Sequence, residues 1–85
     1  MNKIEKLLLK LRGLKLGDRV VIRVQDHNGK HVIVEAEVED IGKDYYSFYC
    51  LNPPSYLNSI FRVKRNKIEK RIKEVKFHEG SNKRN

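Results

Sequence analysis

The chain has no tryptophan, a single cysteine, two prolines and no long apolar run. Each scarcity excludes something. One cysteine, Cys50, rules out an internal disulfide and fits a reducing compartment such as the cytoplasm. No stretch approaches the roughly 20 apolar residues of a membrane-spanning helix. The opening MNKIEKLLLKLRG holds an early Glu, a short apolar run and no small-residue cleavage site, so it does not read as a leader. Its length limits it to one domain with a modest core.

Chemistry is equally sparse. His27, His31 and His78 lie apart and lack further ligands, so they read as surface histidines. Glu35, Glu37 and Glu39 recur at period two, but no His or Asp joins them as a metal or acid–base set. Cys50 falls in an apolar strand pattern, where it serves as a small core residue rather than a nucleophile. There is no glycine-rich phosphate loop and no Ser/His/Asp spacing. The expectation is a protein that is not an enzyme, with no catalytic residues, no metal and no cofactor.

What is abundant is positive charge, and it is segregated. The net charge is +8. Residues 1–17 carry five cations against one Glu, and residues 52–85 carry ten against three acids, while residues 18–51 carry four against seven. Basic ends around a mildly acidic middle make a positive surface with a direction, which attracts phosphate-rich or otherwise acidic partners.

The periods in the chain place its elements. Ile4, Leu7, Leu8 and Leu11 mark one face of a helix over 1–13, with Asn2 to cap it and Gly13 to end it. That face is expected to pack inward and Lys3, Lys6 and Lys10 to face water; as a membrane-surface helix it is short, and no membrane partner is expected. Val20, Ile22 and Val24 alternate with polar neighbours as a strand. Asn28-Gly29 signals a hairpin with a three-residue loop, His27-Asn28-Gly29, that pairs Val24 with Val32 and Ile22 with Val34. Val32, Val34, Ala36 and Val38 then point inward, and Arg19 and Arg23 sit diagonal to the outward glutamates, neutralising much of their stripe. After a turn at Gly42, YYSFYCL puts Tyr46, Phe48 and Cys50 inside and Tyr45, Ser47 and Tyr49 outside. NPPSYLN is a proline-stiffened loop. SIFRVKR is a fourth strand with Phe61 and Val63 inside. Residues 66–77 fit a helix through Ile68, Ile72 and Val75 or a strand through Val75 and Phe77; the compromise is a helical turn near Asn66–Lys70 and a short closing strand through about Phe77.

The expected fold class is mainly β: a strongly bent five-stranded antiparallel barrel with an N-terminal helix and a short helical turn before the last strand. The expected organisation is one domain over 1–79, with the helix at 1–13, the barrel at 14–77 and a flexible polar tail at 80–85. LGDRVVIRV and FRVKRNKIEKRI resemble the first strand and the closing segment of Src-homology-3-like and Sm-like small barrels, over about Leu14 to Phe77. An N-terminal helix is a further Sm-like feature, and VKRNKI is similar to that family's second motif. Asn66 matches it, Lys64 stands for its Arg and Arg65 for its Gly. DIGKDYYSFY lacks the base-contacting Asn of the first motif. The resemblance implies the barrel fold and RNA contact near Asn66.

From the residues themselves, a binding surface is expected where strands three and four pair. Tyr45 and Tyr49 can stack on bases, Arg62, Lys64 and Arg65 can neutralise phosphates, and Lys67, Lys70, Arg71 and Lys73 extend the track. RNA and DNA are not distinguished. The alternative partner is an acidic protein surface, docked through Leu51, Tyr56 and Leu57 around the proline loop and through the basic C-terminal strand. A homo-oligomer through an open barrel edge is compatible with either.

Overall fold

The computed structural model describes residues 1–78, and its elements follow the periods of the sequence. Residue 79 and the tail expected at 80–85 lie outside the described residues. Helix α1 (Lys3–Arg12) leads into β1 (Arg19–Gln25), β2 (His31–Ile41) and β3 (Tyr45–Asn52). A 3-10 turn at Pro54–Tyr56 precedes β4 (Ile60–Lys64). A second turn, Arg65–Lys67, runs into the short helix α2 (Ile68–Arg71) and then β5 (Ile72–Lys76). So residues 66–77 are a helical turn followed by a strand. The five strands form one antiparallel sheet in the order β4-β3-β2-β1-β5.

The β1–β2 hairpin takes the register set by its loop. Val24 faces Val32 and Ile22 faces Val34. Gly29 has φ +81, the left-handed conformation that closes a three-residue loop. Asp26 fastens that loop: its Oδ1 accepts the Asn28 and Lys30 N–H groups at 2.9 and 3.0 Å.

Three register shifts bend the sheet. They leave Glu39 in β2, Leu51 in β3 and Lys73 in β5 as extra residues against their partner strands. Each such bulge kinks its strand and increases local twist. The shift in β5 explains why Ile72 and Val75, three residues apart, are both buried. Bending brings β4 into contact with β1, although two strands lie between them in the sheet. No ladder joins the edge strands β4 and β5 among the described residues, so the sheet curls without hydrogen-bonded closure.

The concave side is the core. Val20, Ile22, Val24, Val34, Ala36, Val38, Tyr46, Phe48 and Cys50 are buried there, and Val63, Ile68, Ile72 and Val75 close it from the C-terminal end. Val32, Phe61 and Phe77 are partly buried at its rim. Among the described residues the neutralised glutamate stripe is reduced to one weak pair. Arg19 lies directly opposite Glu37, with Nε 3.5 Å from Oε1, whereas Arg23 lies opposite Ile33.

Helix α1 departs from expectation. Its ends are as predicted: Asn2 accepts the Glu5 N–H at 2.8 Å, Glu5 accepts the Asn2 N–H at 3.2 Å, and Gly13 closes the helix at φ +68. Its orientation is not. Ile4, Leu7, Leu8 and Leu11 are exposed, and the helix instead rests on Leu9, with Met1, Glu5 and Arg12 half-buried. The reason is polar. Asp18 is fully buried at the start of β1, and Arg12 must face it to compensate the charge. No described helix is long and apolar enough to cross a membrane.

Candidate functional site

The outer face where β3 pairs with β4 is built by register. Tyr45 lies opposite Lys64, Ser47 opposite Arg62 and Tyr49 opposite Ile60. Because side chains alternate, all six project away from the core. The polypeptide then turns through Arg65–Lys67 into α2, whose Ile68 is buried. Anchoring Ile68 inward leaves Lys67 and Arg71 on the β4 side of the turn.

Curling brings the end of β1 up to the open edge of β4, and a cleft of about 410 Å³ forms between them beside this face. One wall is the end of β1, from Val24 to Asp26; the other is Tyr45, Arg62, Lys64, Lys67 and Arg71. Four cations therefore share the cleft with one carboxylate. Tyr45 is 41% exposed, so its ring is available to a ligand. A second cleft of about 450 Å³ adjoins the first through Tyr45 and Lys64, and adds Lys43, Asp44, Arg65 and Asn66. Two basic clefts with a shared tyrosine make one continuous track.

The single acid of the first cleft among the described residues is engaged. Besides the two loop N–H groups, Asp26 accepts the Tyr56 hydroxyl at 3.2 Å. Slight burial pushes the Asp26 carboxyl upward, but the Lys30 and Asn28 N–H groups and the Tyr56 hydroxyl outweigh it and hold it below the usual range. The phenol of Tyr56 is pushed up, by burial and by bonding to this carboxylate.

Of the predicted residues, Tyr45, Arg62, Lys64, Lys67 and Arg71 come together in the first cleft. Arg65 is in the second, with part of its capacity committed: Nη1 donates to the Gly42 carbonyl at 2.9 Å, and the guanidinium lies 5.0 Å from the Tyr46 ring centre. Tyr49 shares the outer face but sits about 13 Å along β3 from Tyr45, and its hydroxyl donates to Asn58. Lys70 is exposed on α2 and lines neither cleft. Around the proline loop, Leu51 and Tyr56 are half-buried and Leu57 is 51% exposed. The Tyr56 ring is packed edge-on against Phe61, with centres 6.0 Å apart.

Sequence reasoning missed Lys43 and Asp18. Lys43 had a signal, its place in the IGKD turn beside Tyr45. Asp18 had a weaker one, the Gly-Asp step before β1. No group of His, Cys, Asp and Glu among the described residues is arranged to hold a metal ion.

Set against known protein families, curated proteins and solved structures, the chain matches none of them.

Proposed function

We propose that the protein is a non-enzymatic nucleic-acid-binding module that engages RNA or DNA along the β3–β4–α2 track. The observation that carries this reading is the gathering of Tyr45 with Arg62, Lys64, Lys67 and Arg71 in one cleft whose only acid among the described residues is already hydrogen-bonded. The cations neutralise phosphates and release counterions. Tyr45 offers a ring on which an unpaired base stacks. Packing accounts for the apolar residues of β4, α2 and β5, but it does not require Lys or Arg at the positions between them.

The test is fluorescence anisotropy with labelled single-stranded RNA, single-stranded DNA and duplex DNA, from low to physiological salt, beside Arg62→Glu/Lys64→Glu. Micromolar or tighter binding at physiological salt, lost in the double variant, supports the reading and ranks the polymers. Binding confined to low salt, or equal binding by the variant, refutes it. A protein-docking role for the proline loop is favoured by the exposed Leu57 and by Ile60 at the start of β4, 47% exposed. That role predicts a salt-insensitive interaction untouched by Arg62→Glu/Lys64→Glu.

A further inference from the structure

Helix α1 carries an uncovered apolar stripe. Ile4, Leu7, Leu8 and Leu11 are 70, 57, 39 and 74% exposed, and Leu16, just beyond the helix, is 59% exposed. At about 100° per residue these four occupy one sector of the helix, Lys3, Lys6 and Lys10 a second, and the docked residues Glu5, Leu9 and Arg12 the third. The only carboxylate of the helix, Glu5, lies in the docked sector and is bonded to the Asn2 N–H. Both free sectors are thus aliphatic or cationic, with no acid between them.

Three occupants of the stripe conflict with its chemistry. Residues 79–85, EGSNKRN, have no apolar side chain to lay on it. A second copy would bring a net charge of +8 against +8, with lysines flanking each stripe. The centre of a protein interface favours aromatics, Met and Arg and is poor in Lys. The free sectors of α1 hold none of the former, and Arg12 is bound to Asp18. Leucine and isoleucine beside lysine is instead the composition of helices that lie in the plane of a lipid headgroup layer.

We infer that α1 is an anchoring helix for an anionic lipid surface. Ile4, Leu7, Leu8 and Leu11 enter the headgroup–acyl boundary, and Lys3, Lys6 and Lys10 reach the anionic headgroups along their flexible stems. Ten residues are few for a free peptide, which must also order its backbone on binding. Here the helix is already ordered by its capping box and by the Arg12–Asp18 contact, so that ordering cost is absent. This inference is independent of the basic cleft.

The experiment is flotation of the purified chain with mixed phosphatidylglycerol–phosphatidylcholine vesicles and with phosphatidylcholine vesicles alone. Leu7→Gln/Leu11→Gln removes apolar surface without changing charge, and exposed positions make the variant safe for folding, checked by circular dichroism. The expected result is binding to the anionic vesicles only, weakened at least about tenfold by the leucine variant and about as much by Lys6→Gln/Lys10→Gln. Because the chain has no tryptophan, Leu7→Trp gives a second readout: its emission shifts to the blue with anionic vesicles and not with a soluble polyanion. Flotation of the leucine variant equal to the parent's, or no blue shift, overturns the inference. So does a lipid-free dimer that Leu7→Gln/Leu11→Gln dissociates, which would assign the stripe to a second copy.

Discussion

Arg12 grips Asp18 with two N–H donors, Nη1 at 2.9 Å from Oδ2 and Nη2 at 3.3 Å from Oδ1. The same carboxylate accepts the Lys15 N–H at 2.8 Å and the His78 N–H at 2.6 Å. The end of α1, the loop into β1 and the chain beyond β5 are thereby tied to one buried residue. The guanidinium also lies 4.4 Å from the ring centre of Phe77, so the fastening has an apolar lid.

Replacing Asp18 by Asn should destabilise the fold by about 2–3 kcal/mol. The amide nitrogen would point a donor at Arg12 or Lys15, both donors themselves. The loss stays below that of a fully buried pair because the Arg12 side chain remains 25% exposed and can recover hydration. Urea denaturation followed by circular dichroism measures it. A change under about 0.5 kcal/mol, the ordinary scale of a surface substitution, would show that the contact is incidental.

Acid should weaken the protein through the same residue. Burial pushes the Asp18 carboxyl upward, but the bonds from Arg12, His78 and Lys15 and the Arg12 charge outweigh it and hold it below its ordinary value. The unfolded chain therefore binds the proton more readily than the folded one. The stabilisation is complete above the ordinary carboxylate range and is lost as pH falls below about 4 towards the depressed folded value. Urea midpoints measured from neutral pH downward should fall in this window, and more gently in Asp18→Asn. Parallel curves for the two proteins would remove Asp18 as the cause.

Cys50 should be inert in the folded protein. It is wholly buried, and its Sγ donates to the Asn52 carbonyl at 3.3 Å. Burial pushes the thiol up, against a smaller opposing pull from the Asn52 contact. Both access and thiolate are then lacking. A disulfide reagent at mildly alkaline pH should react at the rate of unfolding and at once in urea. Rapid stoichiometric reaction of the native protein would contradict the burial.

These tests fall on residues that differ in how openly the sequence declared them. The strands were legible because alternation is local: Ile22, Val34 and Phe48 each announce a buried face by their neighbours. The β1–β2 register was legible from Asn28-Gly29, since loop length sets pairing. The cleft was half legible. Pairing of β3 with β4 predicted that Tyr45, Arg62 and Lys64 share a face, but the wall from Val24 to Asp26 arises from sheet bending, which depends on bulges at Glu39, Leu51 and Lys73 that no local pattern marks. The orientation of the helix was not legible for a general reason. Periodicity shows that Ile4, Leu7, Leu8 and Leu11 lie together; it does not show which sector touches the sheet. Here Arg12 decides it by meeting Asp18, a buried carboxylate also held by His78, sixty residues further on.

Tyr45 should matter for unpaired bases and little for the fold. As an outward, 41% exposed residue it can be replaced with small effect on stability. Tyr45→Ala should weaken binding to single strands by about 1–3 kcal/mol, the scale of one base–aromatic stack, while Tyr45→Phe keeps the ring and the affinity. A smaller loss on duplex DNA is expected, because its bases are already stacked. Equal losses on single strands and duplex would mean that the ring contributes only to the shape of the cleft.

Lys67 and Lys70 separate a specific track from general positive charge. Both are exposed lysines three residues apart, but only Lys67 lines the cleft. If phosphates run through the cleft, Lys67→Gln should reduce the slope of log affinity against log salt by about 0.7 on single strands and about 0.9 on duplex DNA. Lys70→Gln should leave that slope unchanged. The two variants carry the same net charge, so a long-range field would weaken both alike. Salt titrations of both variants beside the parent thus discriminate between the two causes, and equal slopes for the pair would move the binding site away from the cleft.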